Sequence, residues 1–382
     1  MKIGIFETEH FEGTYPVIKL FDQTNNEITV FTYEEPYRQF RYMFPEEPKR
    51  YSWKIKSDKR SKYLFILAMY REIKRKKLDI VYLNTISNNF IIYALMVILL
   101  KKVRVVLTIH NINAWFELKR AFSFKRNIRY AGRKVLLSVI SEFNVIAMAL
   151  VDHLSARLPG HKKVYCVPDA VFEEDLCQQT QPPLTGHINI VIPGAVDGKR
   201  RDYDQAFQLM QLLENEELSS TVIFLGRFYG KYGEDVLERS KTVQHTFSKL
   251  KYYDFETVPQ PEFDRVMNSA HFVFTPSALA STFDDDVMEF YGTTISSGNL
   301  FDAIKYGKPV IIPETLRVDP YLENNCFRYR KIEEIATFLL SLKNDPIQYS
   351  TWTQKAIAAS RNYTIEKVRE RNRDLFIPPV SG

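Results

Sequence analysis

Short apolar runs alternate with longer amphipathic runs along almost the whole of this 382-residue sequence. The short runs are rich in Val, Ile and Leu and indicate buried strands, whereas the longer ones have the periodicity of helices. In the first half, the predicted strands span residues 2–6, 79–84, 103–110, 144–147 and 163–167, and the predicted helices span 64–77, 88–101 and 150–158. Strands that alternate with helices in this way predict βαβ units and a parallel sheet.

The alternation stops at a polar segment, residues 173–186, whose glutamines and prolines are typical of a linker. It then resumes, with predicted strands at 188–192, 221–225, 271–275 and 309–312, and predicted helices at 202–213, 233–250, 261–269, 298–306 and from 332 onward. We therefore predict an α/β protein with two doubly wound, Rossmann-like domains that face each other across a cleft. Since ligands bind beyond the carboxyl ends of parallel strands, the functional site should lie in that cleft.

The predicted boundaries follow from the position of the linker. We expect a first domain over residues 1–175, a second over 176–350, and C-terminal helices over 351–382 that cross back to the first domain. A chain of this length is larger than one hydrophobic core usually supports, so two domains are the natural expectation.

Composition excludes several other classes of protein. A hydrophobic content of 45% and a charged content of 26% rule out disorder and collagen-like repetition for the chain as a whole. The three cysteines are too few and too scattered for a disulfide framework, and no signal-peptide pattern is visible, so we expect a cytoplasmic location. The longest apolar run, residues 90–100, is about half as long as a membrane-spanning helix and predicts a buried core helix.

Positive charge is concentrated in the first third of the chain. Residues 49–77 carry a net charge of +10 and residues 118–134 a net charge of +7, although the whole chain carries only +6. Aromatic residues lie among these cations: Tyr51, Trp53, Tyr63, Phe122, Phe124 and Tyr130. This pattern fits peripheral attachment to the inner, anionic face of a membrane, and it also fits a solvated helix surface. Nucleic acid is a further class of polyanion that such a surface binds, but we do not expect it as the partner.

Two segments of the second half have the features of a phosphate site, although the sequence lacks GxGxxG and P-loop motifs. The first follows a predicted strand with Gly194 and then places Lys199, Arg200 and Arg201 at the start of a predicted helix. The second, residues 292–310, has hydroxyl side chains and Gly298 before a helix, with Asp302 one turn later. A helix N-terminus beside cations is a ready site for a phosphate group.

The second segment, together with the order of the whole chain, resembles the GT-B glycosyltransferases, most closely the large retaining group with the signature Glu-Ala-x-x-x-Gly-x-Pro-Val. Here the corresponding residues begin at Asp302 and end at Val310. Six segments carry the resemblance, which covers nearly all of the chain: the early strand, 108–111, 167–171, 194–203, 225–227 and 302–310. The sequence departs from the family's pair of glutamates, because Asp302 replaces the second and Thr294 the first. Glu289 lies nearby, but at a different spacing.

The resemblance implies transfer of a sugar from a nucleotide diphosphate sugar, with UDP favoured, to a carbohydrate or lipid-linked acceptor, as in bacterial surface polysaccharide synthesis. It implies a metal-independent reaction without a further cofactor, and it favours retention of configuration. The implied nucleotide-sugar residues are Gly194, Lys199, Arg200, Arg201, Arg227, Thr294, Ser296, Ser297, Gly298, Asn299 and Asp302. The implied catalytic residues on the acceptor side are Glu7, Glu9, His10 and His110.

Two alternatives stay open at this point. One is another enzyme of the same fold, such as a sugar-nucleotide epimerase, and the other is a non-catalytic protein that binds a nucleotide sugar or a polyanion. We expect that removing Arg200 or Arg201 weakens diphosphate binding with little loss of fold. We interpret the three adjacent acids at residues 284–286 as a solvated loop and not as a metal site.

Overall fold

The first domain is built on a sheet of seven parallel strands. The computed structural model describes residues 1–44, 50–57, 61–117, 124–174, 181–283 and 287–378. The strands lie in the order β3-β2-β1-β4-β5-β6-β7. Their bounds are β1 Lys2–Glu7, β2 Glu27–Tyr33, β3 Tyr51–Lys56, β4 Ile80–Leu83, β5 Arg104–Thr108, β6 Glu142–Val145 and β7 Lys163–Cys166. β1 is central, with Ile3 paired to Ile28 of β2 and to Ile80 of β4, and it is buried from its second residue onward.

Helices cover both faces of this sheet. Their bounds are α1 Phe11–Phe21, α2 Glu34–Met43, α3 Lys62–Lys76, α4 Phe90–Leu99, α5 Ile112–Phe116, α6 Phe124–Val139 and α7 Val151–Arg157. One apolar core contains side chains of α3, α4 and α6, and a second core on the opposite face contains those of α1. The helix predicted at 88–101 is confirmed as α4, although its outer face is exposed.

The second domain repeats the plan with six parallel strands in the order β10-β9-β8-β11-β14-β15. Their bounds are β8 Ile188–Pro193, β9 Ser220–Leu225, β10 Ser248–Tyr252, β11 Phe272–Phe274, β14 Val310–Pro313 and β15 Cys326–Tyr329. An antiparallel hairpin, β12 Ala280–Phe283 and β13 Val287–Phe290, is inserted after β11. The helices are α8 Tyr203–Asn215, α9 Gly230–Thr242, α10 Gln260–Ser269, α11 Gly298–Tyr306, α12 Ile332–Asn344, α13 Pro346–Ser360 and α14 Ile365–Arg371.

One predicted helix is wrong in its second half. The helix predicted at 233–250 ends at Thr242 in the structure, and the chain then forms β10 from Ser248. In β10 the side chains of Lys249 and Lys251 are exposed, whereas those of Ser248, Leu250 and Tyr252 are more buried. Alternation of exposed and buried side chains is typical of a strand at the edge of a sheet. With only five residues, β10 is too short for this alternation to be distinguished from a helical pattern in the sequence.

The end of the chain lies against the first domain. The Arg369 guanidinium donates to the Leu20 carbonyl at 2.8 Å, and the Asn372 side chain forms two hydrogen bonds of 2.9 Å with the backbone of Cys166. The domain boundaries near residues 175 and 350 remain predictions. Among the described residues, no helix combines the length and the hydropathy that crossing a bilayer requires.

Candidate active site

A cleft of about 1200 Å³ lies between the two sheets. Its first wall is formed by the loops that follow β1, β4, β5 and β7, and its second wall by the loops that follow β8 and β9 and by the start of α11. Both sheets therefore present the carboxyl ends of their strands to the same space, as expected for a ligand site in parallel α/β sheets.

Glu289 of β13 joins the two domains beside this cleft. Its carboxylate accepts the backbone N–H groups of Ala114 and Asn113, at 2.7 and 3.2 Å, and it has no exposed surface. Burial raises the pKa of Glu289 to about 7, although hydrogen bonds from Thr294 and the two amides act in the opposite direction. Glu289 does not line the cleft, and its carboxylate is bound to the first domain instead.

The second wall begins with two loops whose backbones are in direct contact. Gly194 follows β8 with φ +86, a conformation that favours glycine. A Cβ atom on Gly226, which follows β9, would lie 2.2 Å from the Gly194 carbonyl oxygen. Only glycine fits at Gly226, and the two strand ends are held in fixed positions. Lys199 and Arg200 lie on the turn after Gly194, exposed toward the cleft.

Arg201 differs from its two basic neighbours because it is buried. Its guanidinium donates through Nε to the Asn299 side-chain oxygen at 3.0 Å, with a second bond through Nη2, and to the Ala195 carbonyl at 2.7 Å. Arg201 still lines the cleft, but it also connects the turn to the start of α11. The expectation that it can be removed with little loss of fold is not compatible with this burial, since the buried Asn299 side chain and the Ala195 carbonyl would lose their donor.

The start of α11 completes the second wall. Ser296, Ser297 and Gly298 line the cleft, and the first turn of a helix has backbone N–H groups without helical partners. Asp302, one turn later, also lines the cleft. Burial raises the pKa of Asp302 to about 7, and Lys305 partly opposes this shift. The helix ends at Tyr306 and is capped by Gly307, at φ +58, and Pro309 precedes β14, as the signature segment predicts.

Glu7, predicted as an acceptor-side residue, is buried behind the first wall and binds the loops that form it. Oε1 of its buried carboxylate accepts the backbone N–H groups of Thr8, Glu9 and His10 at 2.6 to 3.0 Å. Oε2 accepts hydrogen bonds from Asn84 and Thr85, each at 2.8 Å. Glu7 does not line the cleft, and its five hydrogen bonds fix the loops after β1 and β4 relative to each other.

Two histidines lie close together on the first wall. The ring centroids of His10 and His110 are 5.6 Å apart, and both residues line the cleft with Glu9. His110 is half-buried, and burial lowers its pKa to about 4, assisted by the charge of His10. Its Nε2 lies 3.1 Å from the Asn84 carbonyl, which can only accept, so we assign the proton to Nε2 and leave Nδ1 as an acceptor.

Two acids of the first wall were missed by the motif analysis. Asp169 follows β7 and packs against α1, where a Cβ atom on Gly13 would lie 2.4 Å from Oδ1 of Asp169. Burial raises the pKa of Asp169 to about 7, opposed by His10. Glu12, in the first turn of α1, also lines the cleft. The only signal for Asp169 was its place in the segment 167–171.

The structure brings most of the predicted residues to the cleft. Twelve of them line it: Gly194, Lys199, Arg200, Arg201, Arg227, Ser296, Ser297, Gly298, Asp302, Glu9, His10 and His110. Three do not line it: Glu7, Thr294 and Asn299. The hydroxyl of Thr294 accepts the Phe290 N–H at 2.8 Å, and Asn299 is fully buried beneath Arg201. Their predicted contact with the nucleotide sugar would require these side chains to leave their present partners.

The residues described by the structure contain no cluster of three or more metal-ligating side chains. The three acids at 284–286 lie outside those residues, and the prediction about them stays a prediction.

Residues 11–142 match the glycosyl transferase 4-like family. This stretch includes Glu12 and His110 of the first wall. No curated protein sequence matches the chain.

Solved structures of similar architecture align with nearly the whole chain. Anabaena HepE, in complex with UDP and glucose, aligns with a TM-score of 0.61 at 12% identity, covering 98% of this chain and 99% of that one. The UDP-GlcNAc 2-epimerase of Neisseria meningitidis, bound to UDP-GlcNAc, gives 0.57 at 12% identity, covering 98% and 100%. Sucrose-phosphate synthase of Thermosynechococcus elongatus gives 0.55 at 11% identity, covering 98% of each chain.

At these identities the structural matches establish the fold alone. They confirm the predicted arrangement of two Rossmann-like domains, and the family match confirms the resemblance to this class over part of the first domain. The chain has the GT-B fold, and its residues 11–142 match the glycosyl transferase 4-like family.

Proposed function

We propose that this protein transfers a sugar from a nucleotide diphosphate sugar, with UDP favoured, to the hydroxyl group of a carbohydrate or lipid-linked acceptor. The observation that carries the proposal is the chemical difference between the two walls of the cleft. The second wall has cations and a helix N-terminus, which suit a diphosphate, whereas the first has imidazole and carboxyl groups, which suit sugar hydroxyls.

On the donor side, the diphosphate lies against Lys199, Arg200 and Arg201 and the first turn of α11. As the bond from the sugar C1 to the diphosphate breaks, negative charge builds on the departing phosphate oxygen. Cations and helix N–H groups that are already in place stabilise that charge without having to reorganise. The buried hydrogen bonds of Arg201 keep its guanidinium in one orientation, which suits such a role.

Asp302 is the proposed partner of the ribose hydroxyls. It lies one turn into α11, so a nucleotide whose phosphates meet the start of the helix places its ribose within reach of this carboxyl group. Charge is supplied by Arg and Lys in place of a metal ion, and we therefore expect turnover to persist in EDTA.

On the acceptor side, His110 orients a sugar hydroxyl through its unprotonated Nδ1. Because its pKa is about 4, His110 is neutral at pH 7, and it is a weaker base than an exposed histidine. A weak base fits retention, in which the side chain mainly orients the sugar, better than inversion, which requires strong activation of the acceptor hydroxyl.

The comparisons support this proposal in two ways. The glycosyl transferase 4-like match covers the loops after β4 and β5, which form much of the first wall. Two structures with the same fold were solved with UDP or a UDP-sugar bound, which favours UDP as the nucleotide.

A thermal-shift screen tests the donor side. UDP, GDP, dTDP and CMP are added to the parent, to Arg200→Ala and to Arg330→Ala, a control cation that lies outside the cleft and is paired with Glu314. Ligand at a hundredfold excess over Kd stabilises the folded state by about 2.7 kcal/mol, a readily measured shift in Tm. We expect UDP to stabilise the parent and the control and to stabilise Arg200→Ala less. An equal shift in all three proteins would contradict the proposed donor site.

Epimerisation of the bound sugar is a second candidate. The observation that favours it is a pair of acids, Asp169 with its raised pKa and Glu12, near His10 on the wall that faces the sugar. Such groups can remove and return a proton. Incubation of UDP-sugars with and without added acceptor separates the two reactions, because only epimerisation converts the UDP-sugar into an isomeric UDP-sugar when no acceptor is present. Nucleotide binding without either product would favour the non-catalytic alternative.

A further inference from the structure

The outer face of α4 is made only of aliphatic side chains. Ile91, Leu95, Ile98 and Leu99 are 41 to 56% exposed, and their spacing places them on one side of the helix. The helix contains no charged residue. A surface helix of a globular protein normally directs polar side chains to solvent, so this face is unusual.

The apolar surface continues onto α6. Gly132 of α6 packs against Phe90 and Ile91, where an added Cβ would lie 2.9 Å from the Phe90 Cβ. Ile128 and Val135, four residues before and three after Gly132, are 44 and 42% exposed. They share the side of α6 that meets α4. We refer to the surface formed by Ile91, Leu95, Ile98, Leu99, Ile128 and Val135 as the apolar face.

Cations are abundant on the helices that form or adjoin the apolar face. α3, α4 and α6 together contain ten Lys and Arg residues and a single acid, Glu72, a net charge of +9, although Arg133 is buried and donates to the Ala114 carbonyl. Lys101 and Lys102, both exposed, directly follow α4. An apolar strip flanked by positive charge is complementary to the interface of an anionic bilayer, where apolar side chains reach the acyl chains and cations meet the headgroups.

The apolar face also adjoins the acceptor side of the cleft. α4 and α6 both begin at the carboxyl edge of the first sheet, the edge that forms the cleft. Ile86 and Ser87, just before α4, line the cleft, and Arg129 of α6 donates to the Ser87 carbonyl at 2.6 Å. A lipid-linked molecule held in a bilayer under α4 would thus have a short path to His110.

We infer that the apolar face rests on the surface of an anionic lipid bilayer and presents the first wall of the cleft to an acceptor anchored there. A second copy of the chain is a poorer occupant, because a symmetric contact through this face would bring two sets of like charges together. RNA is a poorer occupant of the apolar face as well, since its six aliphatic side chains offer bases no aromatic surface for stacking.

This surface is narrower than the basic region that the sequence indicates. Lys56 is buried, with its ammonium 2.9 Å from the Ser57 carbonyl and over the ring of Tyr33, and Lys54 lies 3.2 Å from Glu72. Tyr51 and Trp53 pack against Phe44 in the core. Lys59, Arg60 and Phe122 lie outside the described residues. The α4 side of the domain, and not β3, is therefore the part to test.

Co-sedimentation with vesicles tests the inference. The full chain is mixed with vesicles of phosphatidylglycerol and phosphatidylcholine, or of phosphatidylcholine alone, as the parent, as Leu95→Glu/Leu99→Glu and as Lys101→Ser/Lys102→Ser. Ile347→Glu is the matched control, because Ile347 is 79% exposed but belongs to the second domain. All altered side chains are exposed, and thermal unfolding of each variant verifies that it is folded.

We expect the parent and the control to bind the anionic vesicles, with binding lost at high salt. Leu95→Glu/Leu99→Glu should bind at least tenfold less. The lysine variant should bind about 25-fold less, since each of its two lost cations strengthens binding to an anionic surface about fivefold. Equal binding by parent and Leu95→Glu/Leu99→Glu, or no binding to either vesicle, would overturn the inference. So would a dimer of the parent, seen by size-exclusion chromatography, that the same variant abolishes, or tighter binding to RNA than to vesicles.

The choice of a lipid-linked acceptor rests on the proposed transferase function, but the membrane contact does not. Vesicle binding is measured without substrate, and the UDP thermal shift is measured without lipid. A failure of one is therefore distinguishable from a failure of the other.

Discussion

The two walls of the cleft are built in different ways. The second wall depends on local signals, such as the turn at Gly194 and the start of α11, reinforced by the bond between Arg201 and Asn299. The first wall depends on one buried carboxylate, Glu7, whose partners include Asn84 and Thr85, 77 and 78 residues away. A wall made from sequence-local motifs can be recognised from sequence, whereas a wall assembled by distant partners becomes visible only in the folded chain.

The largest expected effect comes from breaking the first wall. Glu7→Ala removes an acceptor from five hydrogen bonds, and we expect the free energy of unfolding to fall by about 3 kcal/mol, measured by urea denaturation at pH 7. Glu9→Ala, an exposed neighbour on the same loop, should change it by less than about 0.5 kcal/mol. Similar losses in both variants would mean that Glu7 does not organise this wall.

The second prediction compares two adjacent arginines. Arg201→Ala should lower the free energy of unfolding by about 2 kcal/mol, because the Asn299 side chain and the Ala195 carbonyl lose a buried donor. Arg200→Ala should leave it within about 0.5 kcal/mol, because its side chain is 48% exposed. Thermal unfolding without ligand checks both values. Equal stability of the two variants would contradict the structural role of Arg201.

The third prediction concerns Asp302, the proposed partner of the ribose hydroxyls, which is replaced in Asp302→Ala. It should weaken UDP binding about tenfold, since hydrogen bonds to a carboxylate contribute about 1.5 kcal/mol or more. The affinity for 2′,3′-dideoxy-UDP should hardly change. Isothermal titration calorimetry with both ligands measures the difference. An equal loss for the two ligands would show that Asp302 does not contact the ribose.

The last prediction concerns the pH dependence of the first wall. Burial raises the pKa of Asp169 from 3.8 to about 7. Between these two pH values, Asp169 keeps its proton in the folded protein, whereas the unfolded chain has released it. This contribution to stability is complete below about pH 4 and is lost as the pH rises through 7. The Tm of Asp169→Asn should therefore fall less than the Tm of the parent as the pH rises. Parallel Tm profiles of parent and variant would argue against a buried, protonated carboxyl group.

The sequence predicts the elements whose signals are local. The end of α11 at Gly307 and the start of β14 after Pro309 agree with the signature segment, because glycine ends the helix and proline cannot continue it. In contrast, α1 was not predicted. It contains Gly13 and Pro16, both unfavourable inside a helix, and it forms because its apolar side chains are buried against the first sheet.

The same reasoning separates the site residues. Gly194 and Arg200 were recognised from a strand end followed by a basic helix start. The role of Glu7 could not be recognised, because it consists of hydrogen bonds to residues far along the chain. Asp169 escaped notice because nothing in its neighbourhood shows that Gly13 of α1 packs against its carboxyl group.

The most direct test of the proposed donor site is a crystal structure of the protein with UDP. The account predicts the diphosphate against Lys199, Arg200 and the first turn of α11, with the ribose hydroxyls within hydrogen-bonding distance of Asp302. UDP bound on the first wall, beside His10 and Asp169, or outside the cleft, would contradict it.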